Sequence, residues 1–274
     1  MRIADEIAKS VGFVSRHTDP LSYGGTAFLV QVPYDEKSGC LHLVTAKHVA
    51  DAVGSDCVIG MNGKDGQPLF AKPQGVQWFC HPTEPDSVDV AVLPFASARI
   101  SDYDISPIPV EIFATDSRIA EYDIGLGDEV FSVGLFTKYF GISSLIPVVR
   151  TGNIAMMPKE GVPLGRFGLC EAYLVEGRSI GGLSGSPVFC RNTMKMPGMN
   201  EKGQTKFIAG TGQIHLLGLM HGHWDLPVEF SDLEKAEAVN MGISIVIPAK
   251  KILEVLFSPG LVQERTEAFN RSQG

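Results

Sequence analysis

The 274-residue sequence has no apolar run long enough to cross a bilayer, no CxxC pair and no cluster of lysine and arginine. The first absence argues against a membrane-spanning helix. The second leaves Cys40, Cys57, Cys80, Cys170 and Cys190, an odd number without zinc-type spacing. Such cysteines read as small apolar residues in a reducing compartment. Pairing Cys40 with His42, or Cys80 with His81, lacks the spacing of a metal site, so no metal and no cofactor is expected. The third absence goes with 23 Lys and Arg against 31 Asp and Glu, a net charge of −8. Neither nucleic acid nor an anionic membrane is therefore an expected partner. A secretory h-region is missing too, because Asp5, Glu6 and Lys9 interrupt the first apolar residues, and a cytoplasmic protein is expected.

Glycine and proline are plentiful, at 30 and 17, and scattered through the chain. That scatter predicts frequent turns between short strands. Ile3, Ile7 and Val11 recur at i, i+4 and i+8, so residues 1–11 read as an amphipathic helix. Strand-like runs follow at 25–32, 41–46, 57–61, 76–80 and 89–94, rich in Val, Phe and Leu and bounded by turn residues. They place a β unit over 12–112. A polar connector covers 113–127. Further runs at 129–136, 146–157, 169–176, 186–190, 214–222 and 242–248 place a second β unit over 128–248. Residues 249–257 read as a helix and 258–274 as a polar, frayed tail. The segment 191–213 lies between two strands as a long insertion, a place where a regulatory partner could dock or a plain surface loop.

Three motifs carry chemistry. Gly181-Gly182-Leu183-Ser184-Gly185-Ser186-Pro187 puts a serine on a glycine-rich turn just before an apolar strand. Acyl transfer needs a projecting hydroxyl and converging backbone N–H groups, here those of Gly182 and Ser184. Thr45-Ala46-Lys47-His48 ends a strand with a histidine within reach of such a serine. Asp89 opens the apolar run 90–93, which would bury its carboxylate; a partner is then required, and His48 can supply one. Asp86, three residues earlier, competes for that role.

The order His, Asp, Ser, with separations of about 41 and 95 residues, is similar to that of the trypsin-like serine peptidases rather than the subtilisins or α/β-hydrolases. GGTAFLV, GDEVFSVGLF, VRTGNIA, LLGLMHG and NMGISIVIPAKKILEVL resemble segments of HtrA-type bacterial members, and SGSPVF resembles the glutamyl-endopeptidase branch. The resemblance covers about residues 12–257. It implies an all-β, chymotrypsin-like fold of two six-stranded Greek-key barrels, and a serine endopeptidase acting on intracellular proteins or peptides. Ser184 would be the nucleophile, His48 the general base and Asp89 its orienting acid. A catalytically idle binding module is the alternative; an esterase of another fold conflicts with the triad order.

The sequence departs from that pattern in places. Leu183 stands where secreted trypsins carry an aspartate that pairs with a newly cut amino terminus, so activation by that route is not expected. Arg178, six residues before Ser184, falls at the expected base of the specificity pocket and would favour Asp or Glu at P1. Met220 occupies the place of the glutamyl endopeptidases' pocket histidine, and His221 comes one later, which favours an uncharged, apolar pocket instead. His221 stands where a serine near the buried aspartate is usual and could contact Asp89 or simply pack. By strand parity, His215, His221 and His223 share a face, though without a fourth zinc ligand.

Overall fold

The computed structural model describes residues 2–18, 22–34, 39–73, 75–97, 99–177, 181–192, 194–195, 208–209, 212–226 and 239–273. Among these, no helix is long and apolar enough to cross a membrane. Helix α1 (Asp5–Ala8) is a single turn. The predicted helix stops there because Val11 belongs to a strand, β1 (Val11–Arg16), whose Val11, Phe13 and Val14 are all buried. Then come β2 (Ser22–Pro33), β3 (Gly39–Thr45), helix α2 (Lys47–Val53), β4 (Cys57–Asn62), β5 (Pro68–Ala71), β6 (Phe79–Cys80), β7 (Ala91–Pro94) and β8 (Ile108–Pro109). These eight strands form one sheet in the order β5-β4-β1-β2-β3-β7-β6, with β8 alongside β2. This unit holds two strands more than the expected six. β5 and β8, of four and two residues and each holding a proline, are too short to show an alternating period.

The connector contains α3 (Asp116–Tyr122), capped by the Thr115 hydroxyl accepting the Arg118 N–H. After it come β9 (Glu129–Gly134), β10 (Val148–Met156), β11 (Val162–Pro163), β12 (Leu169–Cys170), β13 (Tyr173–Glu176), β14 (Pro187–Arg191), β15 (Met194–Lys195), β16 (Ile208–Ala209), β17 (Ile214–Leu226) and β18 (Val239–Pro248). Six of them close into a barrel in the order β10-β13-β18-β17-β14-β9. The insertion 191–213 holds the small β15–β16 pair, and residues 193, 196–207, 210 and 211 of it lie outside the described residues. Leu183, Val188, Leu217, Met220 and Val246 pack together in one apolar cluster of this unit. A larger core joins both units: Phe28, Leu29, Leu43 and Val92 of the first sheet form one cluster with Phe131, Phe189, Leu219 and Ile247 of the barrel. This shared core holds the cleft between the units in register.

Helix α4 (Ala249–Leu256) buries Ile252, Val255 and Leu256 in that larger core. The chain beyond it is not a frayed tail but a second helix, α5 (Pro259–Gln273). Pro259 opens it, a position where the missing N–H costs nothing. Leu261, Arg265 and Phe269 recur at i, i+4 and i+8 on its inner face, with Leu261 and Arg265 buried and Phe269 stacked on Tyr34. So narrow a stripe, with an arginine in its middle, hid the helix among polar residues.

His42 of β3 is fully buried beneath α5. Burial, then the nearby Arg265 guanidinium, lowers its pKa to about 4 against the pull of the Cys40 carbonyl. Between pH 6.5 and 4 the unfolded chain binds a proton that the folded chain refuses, so stability falls as the pH drops through that window. The linkage is worth at most about 3 kcal/mol. Denaturant titrations at pH 7 and pH 4.5 should therefore show a larger acid loss for wild type than for His42→Phe. Equal losses would mean that His42 is not the titrating group.

Candidate active site

Antiparallel pairing of Thr45 with Ala91 sets β3 beside β7, and continuing that register by two residues brings position 89 alongside position 47. His48 sits in the first turn of α2, where backbone N–H groups have no partner within the helix. Its N–H donates to Asp89 Oδ1 at 2.9 Å, and its ring Nδ1 lies 2.8 Å from Asp89 Oδ2. Asp89 is fully buried, whereas Asp86 is exposed, which separates the two candidate acids.

A second imidazole reaches the same carboxylate. His221 Nδ1 lies 2.6 Å from Asp89 Oδ2, and the two histidine rings meet edge to face at 5.3 Å. Burial alone would push the Asp89 carboxyl up. The hydrogen bonds from His221 and then His48, with the attraction of both rings, outweigh it and hold the group well below the usual carboxylate range. An ionised carboxylate only accepts hydrogen bonds, so both Nδ1 atoms must carry hydrogen. In the neutral ring that leaves His48 Nε2 as an acceptor.

Two hydrogen bonds from Thr26 hold the serine loop against this corner, and a third ties Thr26 to the end of β9. The Thr26 N–H donates to the Ser184 carbonyl at 2.9 Å, its hydroxyl donates to the Gly182 carbonyl at 2.8 Å, and the same hydroxyl accepts the Leu135 N–H at 2.8 Å. Leu183 is buried, anchoring the turn from below, and the Ser186 N–H closes it on the Leu183 carbonyl at 2.9 Å. The apolar residue at 183 thus does by packing what a charged residue cannot do without a partner. Among the described residues, the N–H groups of Gly182 and Ser184 have no backbone acceptor. The Ser184 hydroxyl donates to the His221 carbonyl at 3.0 Å, and no hydrogen bond joins it to the His48 ring. One strand residue therefore touches both ends of the site, its ring on Asp89 and its carbonyl on Ser184.

A bulge explains this double reach. The pairing of β17 with β18 slips between Met220 and Gly222, leaving His221 as the extra residue. The same slip, with the bulge at Leu217 in the pairing of β17 with β14, breaks the parity that would have grouped His215, His221 and His223. His215 lies instead against Tyr122, with ring centroids 4.5 Å apart, so the zinc reading fails. Met220 is buried with Leu217 and Val246 and lines a small cavity of about 20 Å³ in the barrel. Arg178 lies outside the described residues.

His48, Asp89 and His221 also bring three ligand atoms within 4.8 Å of one another, as do His81, Glu84 and Glu254 among the described residues. In the first group the carboxylate already engages both rings. In the second, His81 Nδ1 accepts the Glu84 N–H at 3.0 Å, and Lys251 bridges both carboxylates at 2.8 and 3.1 Å. These contacts tie α4 to the loop before Asp89. The five cysteines are unpaired; Cys57, Cys170 and Cys190 are buried, while Cys40 and Cys80 are half-buried.

Sequence reasoning passed over Thr26, although the Gly24-Gly25-Thr26 run that begins the buried part of β2 marks a close approach. A Cβ on Gly25 would come within 3.0 Å of the Ser184 carbonyl. Gly185 is tighter still: its φ is +83°, and a Cβ there would lie 2.1 Å from the Thr26 carbonyl and 2.3 Å from the Thr45 hydroxyl. Gly66 has nearly the same φ, +82°, with open space around it. Gly66→Ala should therefore cost about 1 kcal/mol of backbone strain, and Gly185→Ala roughly 3 kcal/mol or more. Thermal denaturation of the two variants checks the difference; equal losses would show that the serine loop is not wedged between the units.

No family model and no curated protein sequence matches the chain. Solved structures do. The fold is similar to the MamO protease domain from Magnetospirillum magneticum in its apo form, with a TM-score of 0.56 and 13% identity over 92% of this chain and 98% of that one. Deg5 gives 0.50 and 15%, covering 91% of this chain and 88% of its own. The HtrA-type protease AlgW with a decapeptide gives 0.50 and 17%, covering 92% of this chain and 64% of that one. At such identities the likeness establishes the fold, which is the chymotrypsin-like one of the HtrA-type proteases.

Proposed function

We propose that this chain, built on the HtrA-type form of the trypsin-like fold, is a serine endopeptidase of proteins and peptides in a reducing, cytoplasmic compartment. The observation that carries the reading is the double hold of buried Asp89 on His48, through the backbone N–H and through Nδ1. A group needed only for packing would not require its ring fixed in one tautomer. With Nδ1–H committed to Asp89, His48 Nε2 accepts the Ser184 proton as Oγ attacks the scissile carbonyl carbon. The N–H groups of Gly182 and Ser184 stabilise the oxyanion. His48 then passes the proton to the leaving amine; water, deprotonated by the same nitrogen, attacks the acyl carbon, and as the ester bond to Ser184 breaks that proton returns to Oγ and the acid is released. Asp89 stays ionised throughout.

The Ser184 hydroxyl donates to the His221 carbonyl, so attack first requires it to turn toward His48. That contact favours the second reading, an idle module that binds peptides without cleaving them. A fluorophosphonate probe separates the two, because it phosphonylates only an activated serine. Mass spectrometry should find the adduct on Ser184; a folded wild type left unmodified would support the idle module. Peptide-library cleavage by the wild type gives the P1 preference, and cuts after Lys or Arg would exclude a cationic pocket built on Arg178.

His221 is a positioning residue in this scheme. His221→Phe keeps a ring against Phe167 and His48 but removes one of the two donors to Asp89. A loss of about tenfold in kcat with little change in KM is expected, since one charge-assisted hydrogen bond contributes roughly 1.5 kcal/mol. An unchanged kcat would reduce the second histidine to packing.

A further inference from the structure

A cavity of about 470 Å³ opens between β3, the segment after β7 and α5, apart from the serine site. Its walls are apolar at Leu41, Phe95, Ile100 and Phe269, yet Arg265 and His42 also line it. Arg265 is only 8% exposed. Its Nη1 donates to the Leu256 carbonyl at 2.5 Å and its guanidinium lies over the Phe257 ring at 5.4 Å. Among the described residues no carboxylate pairs with it. The one acid beside it in the wall, Glu264, is turned to Arg271 at 3.4 Å. A buried, unpaired cation is costly, and an anion supplied from outside removes that cost.

His42 adds a second, poorly met donor. Arg265 can only donate, so the 3.5 Å approach of its Nη1 makes His42 Nε2 the acceptor. The neutral ring then carries its hydrogen on Nδ1, which is fully buried and makes no well-formed hydrogen bond, with the Cys40 carbonyl as its nearby acceptor. The cavity thus joins an anion-seeking end to an apolar body, at a volume ordinary for small-ligand sites. A peptide would need free backbone partners as well. The wall strand β3 is already paired on both sides, with β2 and β7.

From this we propose that the cavity binds a medium-chain carboxylic acid, its carboxylate on Arg265 and its hydrocarbon chain against Leu41, Phe95, Ile100 and Phe269. The site is separate from the serine chemistry and stands whether or not the chain cleaves peptides.

Titration calorimetry of the full chain with decanoate and with decanol, below their aggregation thresholds, tests this. Saturable one-site binding of decanoate, at least tenfold tighter than decanol, is expected. Arg265→Gln should erase that preference. Ala268→Trp, a change at an exposed residue of the cavity wall, should weaken decanoate at least tenfold and leaves the buried charge in place should Arg265→Gln fail to fold. No saturable binding of decanoate, equal affinity for acid and alcohol, or full affinity in Ala268→Trp would each overturn the proposal.

Discussion

Ser184→Ala is expected to fold as the wild type does and to lose peptide hydrolysis by at least about 10⁴-fold in kcat/KM. The two halves of this expectation have separate grounds. Folding is spared because the loop is held by Thr26, by the buried Leu183 and by the fit of Gly185, none of which uses the Ser184 hydroxyl. That hydroxyl has a single partner among the described residues, the carbonyl of half-buried His221. Activity is lost because the nucleophilic hydroxyl is gone, and Ser186, the serine nearest in sequence, is fully buried and cannot take its place. Initial rates on a fluorogenic peptide, beside melting curves of both proteins, read the two halves separately. Residual hydrolysis within tenfold of wild type would place the nucleophile elsewhere.

Asp89→Asn should cost nearly as much, about 10³ to 10⁴-fold in kcat, and should also change the acid stability. In the substituted site the amide can present its oxygen to the two rings or its N–H₂ group, but it cannot supply the charge that favours an imidazolium on His48 as the proton arrives. The comparison of stabilities follows from the direction of the Asp89 pKa. The folded chain holds this carboxyl below the value near 3.9 that it has when unfolded. Its contribution is therefore complete above that value and is lost as the pH falls toward the lower, folded one. The advantage of wild type over Asp89→Asn should be constant from neutral pH down to about pH 5 and shrink below about pH 4. Denaturant titrations across that range check it. An advantage that grows on acidification would mean that Asp89 is protonated in the folded protein.

Much of this arrangement was legible in the sequence because each part obeys a local rule. A buried acid must have a partner, which pointed from Asp89 to His48 before any geometry was known. Glycines around a serine mark a turn that other residues cannot make, and Gly182 and Gly185 do have φ values of +98° and +83°. Alternation of Val, Phe and Leu gave most strands to within a few residues. What stayed hidden depends on contacts between distant segments. The Gly24-Gly25 pair before Thr26 marks a close approach but not its partner, a serine loop 158 residues later in the chain, since 184 − 26 = 158. The bulge at His221 adds one residue to a strand and silently reverses the parity on which its orientation was judged. Helix α5 forms because the larger core receives Leu261, a reward its own sequence does not display. Val11 fitted a helical period and folds as strand because it pairs with Phe28 of β2.

The central claim is that His48 and Ser184 act as one unit on a bound peptide, and a double-mutant cycle tests it most directly. Measured as kcat/KM on one peptide, His48→Ala and Ser184→Ala should each lose about 10⁴-fold or more, and the double variant should be no slower than either alone. Losses that multiply, or a wild type that turns over no peptide at all, would contradict it.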